Sequence, residues 1–397
     1  MRSSERLKDQ KNRCHMSYPA TTWVEVNIEA VRSNVQAVKA YIRRHSHSQH
    51  SPELIAVIKA DAYGHGAIPV AHALQAEVSM FAIATVEEAI ELREAGIDTP
   101  ILVLFNPLPD SAEAIVRYQL TPAVCETTFC KALSDIGRKL NKRVKVHVNV
   151  DTGMHRSGLQ YTEAVRFVQW LTSLEGIEIE GLFTHFATAD EADGSYAHLQ
   201  LKRFKSICAE LARLNLQPPI VHVANSAGTI AIPKSYFDAV RIGLILYGIF
   251  PSPDFKSVFS KKIHLKPALS WKTRVICTHE AKPSEGVSYG LTYKTAHPTW
   301  LATLRVGYAD GYPRSLSNQG EVLIGGKRRP IVGRVCMDVA VAKIHPHESV
   351  AVGDEVVLIG KQGEEEMTVD QVATQAQTIS YEILTGIGKR VPRIYVD

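Results

Sequence analysis

The chain has 397 residues, enough for one large or two medium domains that each bury a core. Its hydrophobic content of 45% and charged content of 22% are ordinary for a globular protein, and no apolar run approaches the roughly 18 residues of a membrane-spanning helix. The net charge of +4 arises in the first fifty residues, which carry nine Lys and Arg against four Asp and Glu, so the remainder lacks the basic surface typical of nucleic-acid binding.

The N-terminal segment MRSSERLKDQKNRCHM is polar and has no apolar centre, which argues against a secretory signal peptide. It predicts a disordered tail over residues 1–20. The cysteines lack the paired spacing that binds metal, so we expect no metal site and reduced thiols in a cytoplasmic protein. They are Cys14, Cys125, Cys130, Cys208, Cys277 and Cys336.

After Trp23, short β-branched runs alternate with amphipathic stretches. Nearly continuous apolar character predicts strands buried on both faces, at 54–60, 80–85, 101–105, 121–125, 144–150, 179–186, 220–226 and 240–248. One intervening stretch, VEEAIELREAG, has a capping box formed by Thr85 and Glu88 and a stop signal at Gly96. Eight strands alternating with helices predict an α/β fold with a (β/α)8 TIM-type barrel over 21–262, with a doubly wound open sheet as the alternative.

The pattern changes near Pro251. From about Lys266 onward, apolar residues alternate with period two in glycine-punctuated runs such as LSWKTRVICTHE and DEVVLIGKQGEEEMTV. This alternation predicts a separate, mostly antiparallel β domain over 263–397. One helix-like stretch, TVDQVATQAQ, interrupts it.

A lysine, Lys59, ends the first barrel strand, where the reactive residues of TIM-type barrels lie. Its only acidic neighbour along the chain is Asp61, and apolar surroundings can deprotonate such an amine so that it attacks a carbonyl. An isolated lysine there is more often a surface residue. However, the loops after strands seven and eight offer a phosphate cradle, through the Ser226 hydroxyl and the backbone around Gly243. Lysine and cradle together suggest pyridoxal phosphate, an electron sink.

Nine segments, in chain order, are similar to those of bacterial alanine racemases. They are VIKADAYGHG (57–66), VNVDTGMHRSG (148–158), GLFTHFATAD (181–190), HVANSAG (222–228), VRIGLILYG (240–248), GVSYGLTY (286–293), VGYADGYPR (306–314), VGRVCMD (332–338) and YEILTGIGKRVPRIY (381–395). The resemblance implies a homodimeric pyridoxal phosphate enzyme with a barrel and a C-terminal β domain. Such an enzyme interconverts L- and D-alanine and supplies D-alanine for peptidoglycan.

The resemblance also assigns the catalytic residues. Racemisation needs one base on each face of Cα. Lys59 matches the residue that holds the cofactor covalently and acts as one base, and Tyr289 matches the other, which the neighbouring subunit supplies. Tyrosine has an ordinary pKa of about 10, so it is a poor base near neutrality without assistance. The resemblance implies that a network of His185, Arg241 and His222 provides this assistance. Arg241 also matches the arginine beside the pyridine nitrogen, which it leaves unprotonated because a guanidinium does not release its proton.

The remaining matches are contacts to cofactor and substrate. The cofactor-binding set implied by the resemblance is Lys59, Tyr63, Arg156, His185, Asn225, Ser226, Arg241, Gly243, Leu244 and Tyr381. Arg156 matches the arginine that contacts the cofactor's phenolic oxygen and the substrate carboxylate, and Met337 matches the residue whose N–H binds that carboxylate across the dimer. Tyr308, Arg314 and Arg334 would line the substrate entrance, where positive charge attracts a carboxylate.

One position departs from the family pattern. Seven residues before Arg156, many members carry a carbamylated lysine that holds this arginine, whereas this chain has Asn149. An amide cannot take up CO2 and carries no charge. We therefore expect a chloride ion between Asn149 and Arg156.

Three other functions fit part of this pattern. A racemase of broader specificity, for serine or basic amino acids, would share the same motifs. A barrel-fold pyridoxal phosphate decarboxylase would need a glycine-rich phosphate loop and a C-terminal cysteine motif, and neither is found in the sequence. A non-catalytic carrier of the cofactor would not need Tyr289 or Met337. Taken singly, Tyr289, His185 and His222 are more typical of packed core residues than of catalytic ones.

Overall fold

The computed structural model describes residues 20–46, 51–345 and 349–397. The predicted tail, apart from its last residue, and Cys14 therefore lie outside the described residues. The described residues form two compact units, one of Asn27–Ala268 with Val396–Asp397, and one of Leu269–Tyr395 with residues 20–26. Over the described ranges no helix combines the length and apolarity needed to cross a membrane.

The first unit is a closed barrel of parallel strands. The chain enters it through β1 (Thr22–Asn27) and α1 (Ile28–His45). The barrel strands are β2 (Glu53–Val57), β3 (Met80–Ile83), β4 (Ile101–Val103), β5 (Thr121–Val124), β6 (Val144–Asp151), β8 (Ile177–Phe183), β9 (Ile220–His222) and β10 (Ala239–Ile242), with the short β7 (Leu159–Gln160) beside the end of β6. Strand β10 pairs with β2, and β5 pairs with β6, which closes the ring. The predicted barrel is confirmed, and the open-sheet alternative is wrong.

Helices cover the outside of the barrel strands, which explains the nearly continuous apolar runs. The short α2 (Lys59–Tyr63) instead has left-handed φ values after Lys59 and follows the end of β2. The covering helices are α3 (Ala67–Leu74), α4 (Val86–Glu94), α5 (Ala112–Arg117), α6 (Thr127–Lys139), α7 (Ala164–Leu171), α8 (Ser195–Arg213), α9 (Ser226–Ala231) and α10 (Pro253–Phe259). The predicted capping box of α4 is confirmed, because Thr85 Oγ1 accepts from Glu88 N and Glu88 Oε2 accepts from Thr85 N.

The second unit is built on antiparallel pairing around one long strand. Its elements are β11 (Leu269–Ala281), β12 (Gly286–Val287), β13 (Tyr293–Lys294), β14 (Thr299–Leu304), β15 (Glu321–Ile324), β16 (Lys327–Pro330), β17 (Ala340–Ile344), β18 (Glu355–Gln362), β19 (Glu365–Met367), α11 (Val369–Gln375), α12 (Ser380–Gly386) and β20 (Arg393–Val396). Strand β11 pairs antiparallel with β1, β14 and β18. The predicted β fold and its interrupting helix, α11, are confirmed.

The structure differs from the predicted domain limits at the N-terminal strand. The barrel was expected to begin at residue 21, but β1 pairs with β11 and belongs to the second unit. In this pairing Val24 lies opposite Trp271, and the Thr22 and Thr273 hydroxyls are 2.9 Å apart. A single short strand does not reveal its partner, which lies some 250 residues along the chain.

Candidate active site

After the C-terminal end of β2, the backbone passes through Lys59 into a left-handed turn. Ala60, Asp61, Ala62 and Tyr63 have φ between 51° and 55°. This conformation costs an L-residue roughly 1–2 kcal/mol, so four in succession require support from the surrounding fold. The turn directs the chain away from the strand immediately after the lysine.

Two side chains support this turn, and sequence reasoning gave neither of them a role at the site. Glu88 Oε1 accepts a hydrogen bond of 2.6 Å from Ala60 N, in addition to its role in the capping box. His65 Nδ1 lies 3.0 Å from Ala62 O and 3.1 Å from Tyr63 O. The capping box pointed to Glu88 in the sequence, but it did not predict that the same carboxylate also accepts a hydrogen bond from Ala60 N.

The environment of the Lys59 amine favours its neutral form. Burial lowers the pKa of Lys59, the charge of Arg156 lowers it further, and Glu88 opposes both by raising it. The acid that acts on the amine is thus Glu88 rather than Asp61. Lys59 Nζ and Arg156 Cζ lie 5.8 and 5.6 Å from the centre of the Phe105 ring. An amine with a lowered pKa is a better nucleophile and base near neutrality.

The Arg241 guanidinium lies buried among three barrel strands. It donates to Thr184 O at 2.7 Å and to Val223 O at 3.1 Å, and it lies 2.7 Å from His222 Nδ1 and 3.2 Å from His185 Nδ1. A guanidinium only donates, so both Nδ1 atoms accept and each neutral imidazole carries its proton on Nε2. The structure thus brings together the three residues that the sequence linked.

Both histidines in this network remain neutral. Burial, and next the charge of Arg241, hold the pKa of His185 and of His222 well below the ordinary value. Burial, and next the charge of Arg156, lower the pKa of Arg241 to about 9. At neutral pH the guanidinium therefore keeps its proton, and it carries the only charge of this group of three residues.

The loops after β9 and β10 meet at Ser226 and Gly243, beside the Tyr63 side chain. Ser226 Oγ accepts a hydrogen bond of 2.9 Å from Gly243 N. A Cβ atom at Gly243 would lie 2.6 Å from the Tyr63 hydroxyl, so only glycine allows this approach. Asn225 caps α9 through a bond from Gly228 N to its Oδ1. Two hydroxyls converging on an open stretch of backbone fit a phosphate group.

The second unit places another group of predicted residues on its surface. Tyr289 follows Ser288, whose φ of 62° is rare for a residue other than glycine. Ser288 Oγ donates to Arg334 O at 2.6 Å, which fixes the tyrosine loop against the VGRVCMD segment. The Tyr289 side chain is 74% exposed.

Tyr308 and Met337 are neighbours in this unit. Tyr308 N donates to Cys336 O and Ala309 N donates to Met337 O, both at 3.0 Å. Both residues are exposed, Met337 by 54%. Three other predicted residues lie in this unit: Arg314 is exposed, and Arg334 and Tyr381 are half-buried. Exposed large apolar side chains grouped on one unit are typical of an interaction surface.

The comparisons with known proteins span both units. The family "Alanine racemase, N-terminal domain" matches residues 26–251, and "Alanine racemase, C-terminal domain" matches residues 268–395. The alanine racemase of Symbiobacterium thermophilum is 46% identical over 375 residues, which cover 94% of this chain and 97% of that protein.

Solved structures show the same similarity. The alanine racemase of Clostridium difficile 630 superposes with a TM-score of 0.88 at 38% identity, covering 95% of this chain and 96% of that chain. The alanine racemase of Bartonella henselae with covalently bound pyridoxal phosphate superposes with a TM-score of 0.82 at 31% identity, covering 95% of this chain and 100% of that chain.

Proposed function

Because the chain belongs to the alanine racemase family, we propose that it is an isomerase that interconverts L-alanine and D-alanine. The observation that carries the proposal is the Lys59 amine, whose pKa is lowered beside Arg156 at the mouth of a barrel that also holds a phosphate cradle. Supply of D-alanine to peptidoglycan and a cytoplasmic location stay predictions.

The residues of the barrel fit the cofactor of this pyridoxal phosphate-dependent family. Ser226, Tyr63 and the backbone of Gly243 and Leu244 would hold the phosphate, with Asn225 shaping the loop. The role of Tyr381, which lies in the second unit, stays a prediction. Lys59 would hold the aldehyde carbon, and Arg241 would face the ring nitrogen without giving up its proton. When bound, pyridoxal phosphate supplies an electron sink that stabilises negative charge at the substrate Cα.

Two bases would transfer the α-proton, one on each face of the substrate Cα. Lys59 Nζ would accept or deliver it on one face of Cα, and the hydroxyl of Tyr289 would do so on the other. We propose that Tyr289 comes from the partner subunit of a homodimer. The exposure of Tyr289 and Met337 supports this assembly, since catalytic side chains need a shielded site.

The substrate carboxylate would be bound by Arg156 and by the backbone N–H of Met337. Arg156 lies on the Phe105 ring beside Lys59, which places its charge near the amine that handles the proton. Tyr308, Arg314 and Arg334 would line the entrance. The positive charge of the two arginines would attract the carboxylate of a small amino acid and disfavour a cationic side chain.

The function is tested by incubating the holoenzyme with L-alanine and measuring D-alanine by chiral chromatography. We expect D-alanine to approach an equal mixture with L-alanine, with no release of CO2. Kinetics on L-serine, L-lysine and L-arginine test the specificity. If kcat/KM for any of these exceeds that for L-alanine, that amino acid rather than alanine is the preferred substrate. Release of CO2 without D-alanine would show a decarboxylase instead.

We expect Gly243→Ala to weaken cofactor binding. The added Cβ would lie 2.6 Å from the Tyr63 hydroxyl and would displace a proposed phosphate ligand. Loss of one hydrogen bond to a charged group predicts a Kd for pyridoxal phosphate that is higher by roughly tenfold or more, measured by absorbance titration of the apoenzyme. Gly386→Ala is the matched control, because no atom lies within 4 Å of its added Cβ. An unchanged Kd for Gly243→Ala would refute this assignment of the cradle.

We propose that chloride supplies the negative partner of Arg156. Asn149 is buried in β6, where its Nδ2 lies 3.3 Å from Ser157 Oγ, and its amide carries no charge. Replacing chloride by gluconate should lower kcat/KM several-fold, because Arg156 would lose its partner. Asn149→Asp places a carboxylate there and should make the activity independent of chloride. Full wild-type activity in halide-free buffer would contradict the proposal.

A further inference from the structure

A line of hydrogen-bonded side chains runs through the barrel from Arg241 to Glu180. Beyond the Arg241–His222 contact, His222 Nε2 lies 2.8 Å from His147 Nδ1, and His147 Nε2 lies 3.3 Å from Glu180 Oε2. Both histidines are fully buried. We refer to Arg241, His222, His147 and Glu180 as the barrel chain.

The barrel chain connects the two ends of the strands. Arg241 faces the C-terminal mouth, where His185 also bonds to it. Glu180 lines a cavity that also contacts Thr121 and Val144, the first residues of β5 and β6. There its other oxygen, Oε1, lies 2.6 Å from Nζ of Lys145, whose side chain is 54% exposed.

Arg241 and Glu180, at the two ends of the barrel chain, fix the donor and the acceptor of every hydrogen bond between them. Arg241 can only donate, so His222 Nδ1 must accept and His222 Nε2 must carry the proton. That proton is donated to His147 Nδ1, which leaves the proton of His147 on Nε2, facing Glu180. An ionised carboxylate can only accept. Both imidazoles are therefore held in one tautomer by a donor at one end and an acceptor at the other.

The surrounding residues hold this geometry. The His222 ring stacks on Phe183 at 4.9 Å, and Arg241 Cζ lies 5.1 Å from the same ring. A Cβ atom at position 181 would lie 2.3 Å from the His147 ring, so the ring occupies space that only Gly181 leaves open. Neither ring has room to flip its nitrogens without moving these neighbours.

The charges also favour Glu180 as the partner of Arg241. Within the described residues Arg241 forms no ion pair, and the charge that acts on it near the mouth is that of Arg156. Burial opposes ionisation of Glu180, but its bonds to His147 and Lys145 outweigh this effect and leave its pKa below the ordinary value. The carboxylate is thus negative and is linked to the buried guanidinium through two neutral rings.

We propose that Glu180 is a positioning residue for racemisation: through the tautomers of His147 and His222, it orients and electrostatically supports Arg241 at the cofactor ring. The inference rests on the proposed function and extends it to the opposite end of the barrel. Glu180 touches neither substrate nor cofactor, and its effect passes through Arg241.

Three full-length variants, loaded with pyridoxal phosphate, test the proposal. Glu180→Leu removes the acceptor and the charge, and Glu180→Gln keeps an acceptor without the charge. Glu178→Gln is the matched control, because it removes a carboxylate from the same strand and leaves the barrel chain intact. We measure kcat and KM for L-alanine, the visible absorption band of the bound cofactor, and the melting temperature. The absorption band reports the electronic state of the cofactor ring and does not depend on turnover.

We expect Glu180→Leu to lower kcat by about tenfold, the effect of losing one hydrogen bond to a charged group, with a smaller change in KM because Arg156 is untouched. Its absorption band should shift. Glu180→Gln should recover part of the kcat, and Glu178→Gln should match the wild type in both readouts.

Several outcomes would overturn the proposal. Wild-type kcat with an unshifted band in folded Glu180→Leu would do so, as would an equal loss of kcat in Glu178→Gln. If Glu180→Leu does not fold, Glu180→Gln decides: a lower kcat with a shifted band supports the proposal, and wild-type values refute it. A wild-type protein that binds the cofactor without racemising alanine would instead overturn the proposed function, and the absorption bands would still test Glu180.

Discussion

Tyr289→Phe is expected to slow removal of the α-proton from L-alanine by orders of magnitude while leaving the protein folded and loaded with cofactor. The substitution removes only the hydroxyl that we propose as the second base. General acid–base catalysis contributes roughly 10²- to 10⁴-fold, and the exchange rate should fall by that factor. Exchange of the α-hydrogen for deuterium, followed by proton NMR in D2O, measures this step directly. Because the side chain is 74% exposed, the free energy of unfolding should change by no more than about 0.5 kcal/mol.

Tyr293→Phe is the matched control, since it removes the same atom four residues further along. Tyr293 packs beside a small core cluster that includes Val287 and Leu301, away from any role assigned here. It should exchange the α-hydrogen at the wild-type rate. Normal exchange in Tyr289→Phe would show that the two-base assignment is wrong.

Lys59→Ala is expected to have the second large effect. It removes both the covalent attachment of the cofactor and the first base, so racemisation should fall by about 10⁴-fold or more, the upper range of acid–base effects. Reduction with borohydride followed by mass spectrometry should find the cofactor on Lys59 in the wild type and on no residue of the variant. Added methylamine should restore part of the activity, because the deleted side chain leaves room for a small amine.

Lys262→Ala serves as the control for this experiment. Lys262 also lies over an aromatic ring, 4.8 Å from the centre of Phe259, but it is exposed and outside the barrel mouth. It should keep full activity and a normal cofactor content. Borohydride labelling of a lysine other than Lys59 in the wild type would reject Lys59 as the attachment site.

The sequence predicts the barrel well because each strand carries a local signal. All eight apolar runs became barrel strands, and the period-two region became the antiparallel sheet. The partner of β1 has no such signal, since pairing with β11 depends on contacts between distant segments. The site residues that matched family motifs stay predictions, although the structure brings His185 and His222 to Arg241, and Ser226 and Tyr63 to Gly243.

The supporting residues were harder to predict. His147 and Glu180 stand in the runs VKVHVNV and IEIEGLF, where each interrupts an apolar pattern, and that polarity was the available signal. Whether the two side chains meet depends on the register between β6 and β8, which shifts between Val146 and His147. The left-handed turn was also invisible, because alanine at positive φ has no signature in sequence.

The left-handed turn has a consequence for how the protein matures. A free peptide of this sequence would not keep the conformation of Ala60 to Tyr63, because its supports come from outside the turn, in Glu88, and from the packing of His65. Lys59 should therefore gain its reactive orientation only after β2 and α4 have docked. Covalent attachment of the cofactor aldehyde to Lys59 would then follow barrel assembly rather than precede it. The absorbance of the attached cofactor would therefore distinguish chains with a folded barrel from chains without one.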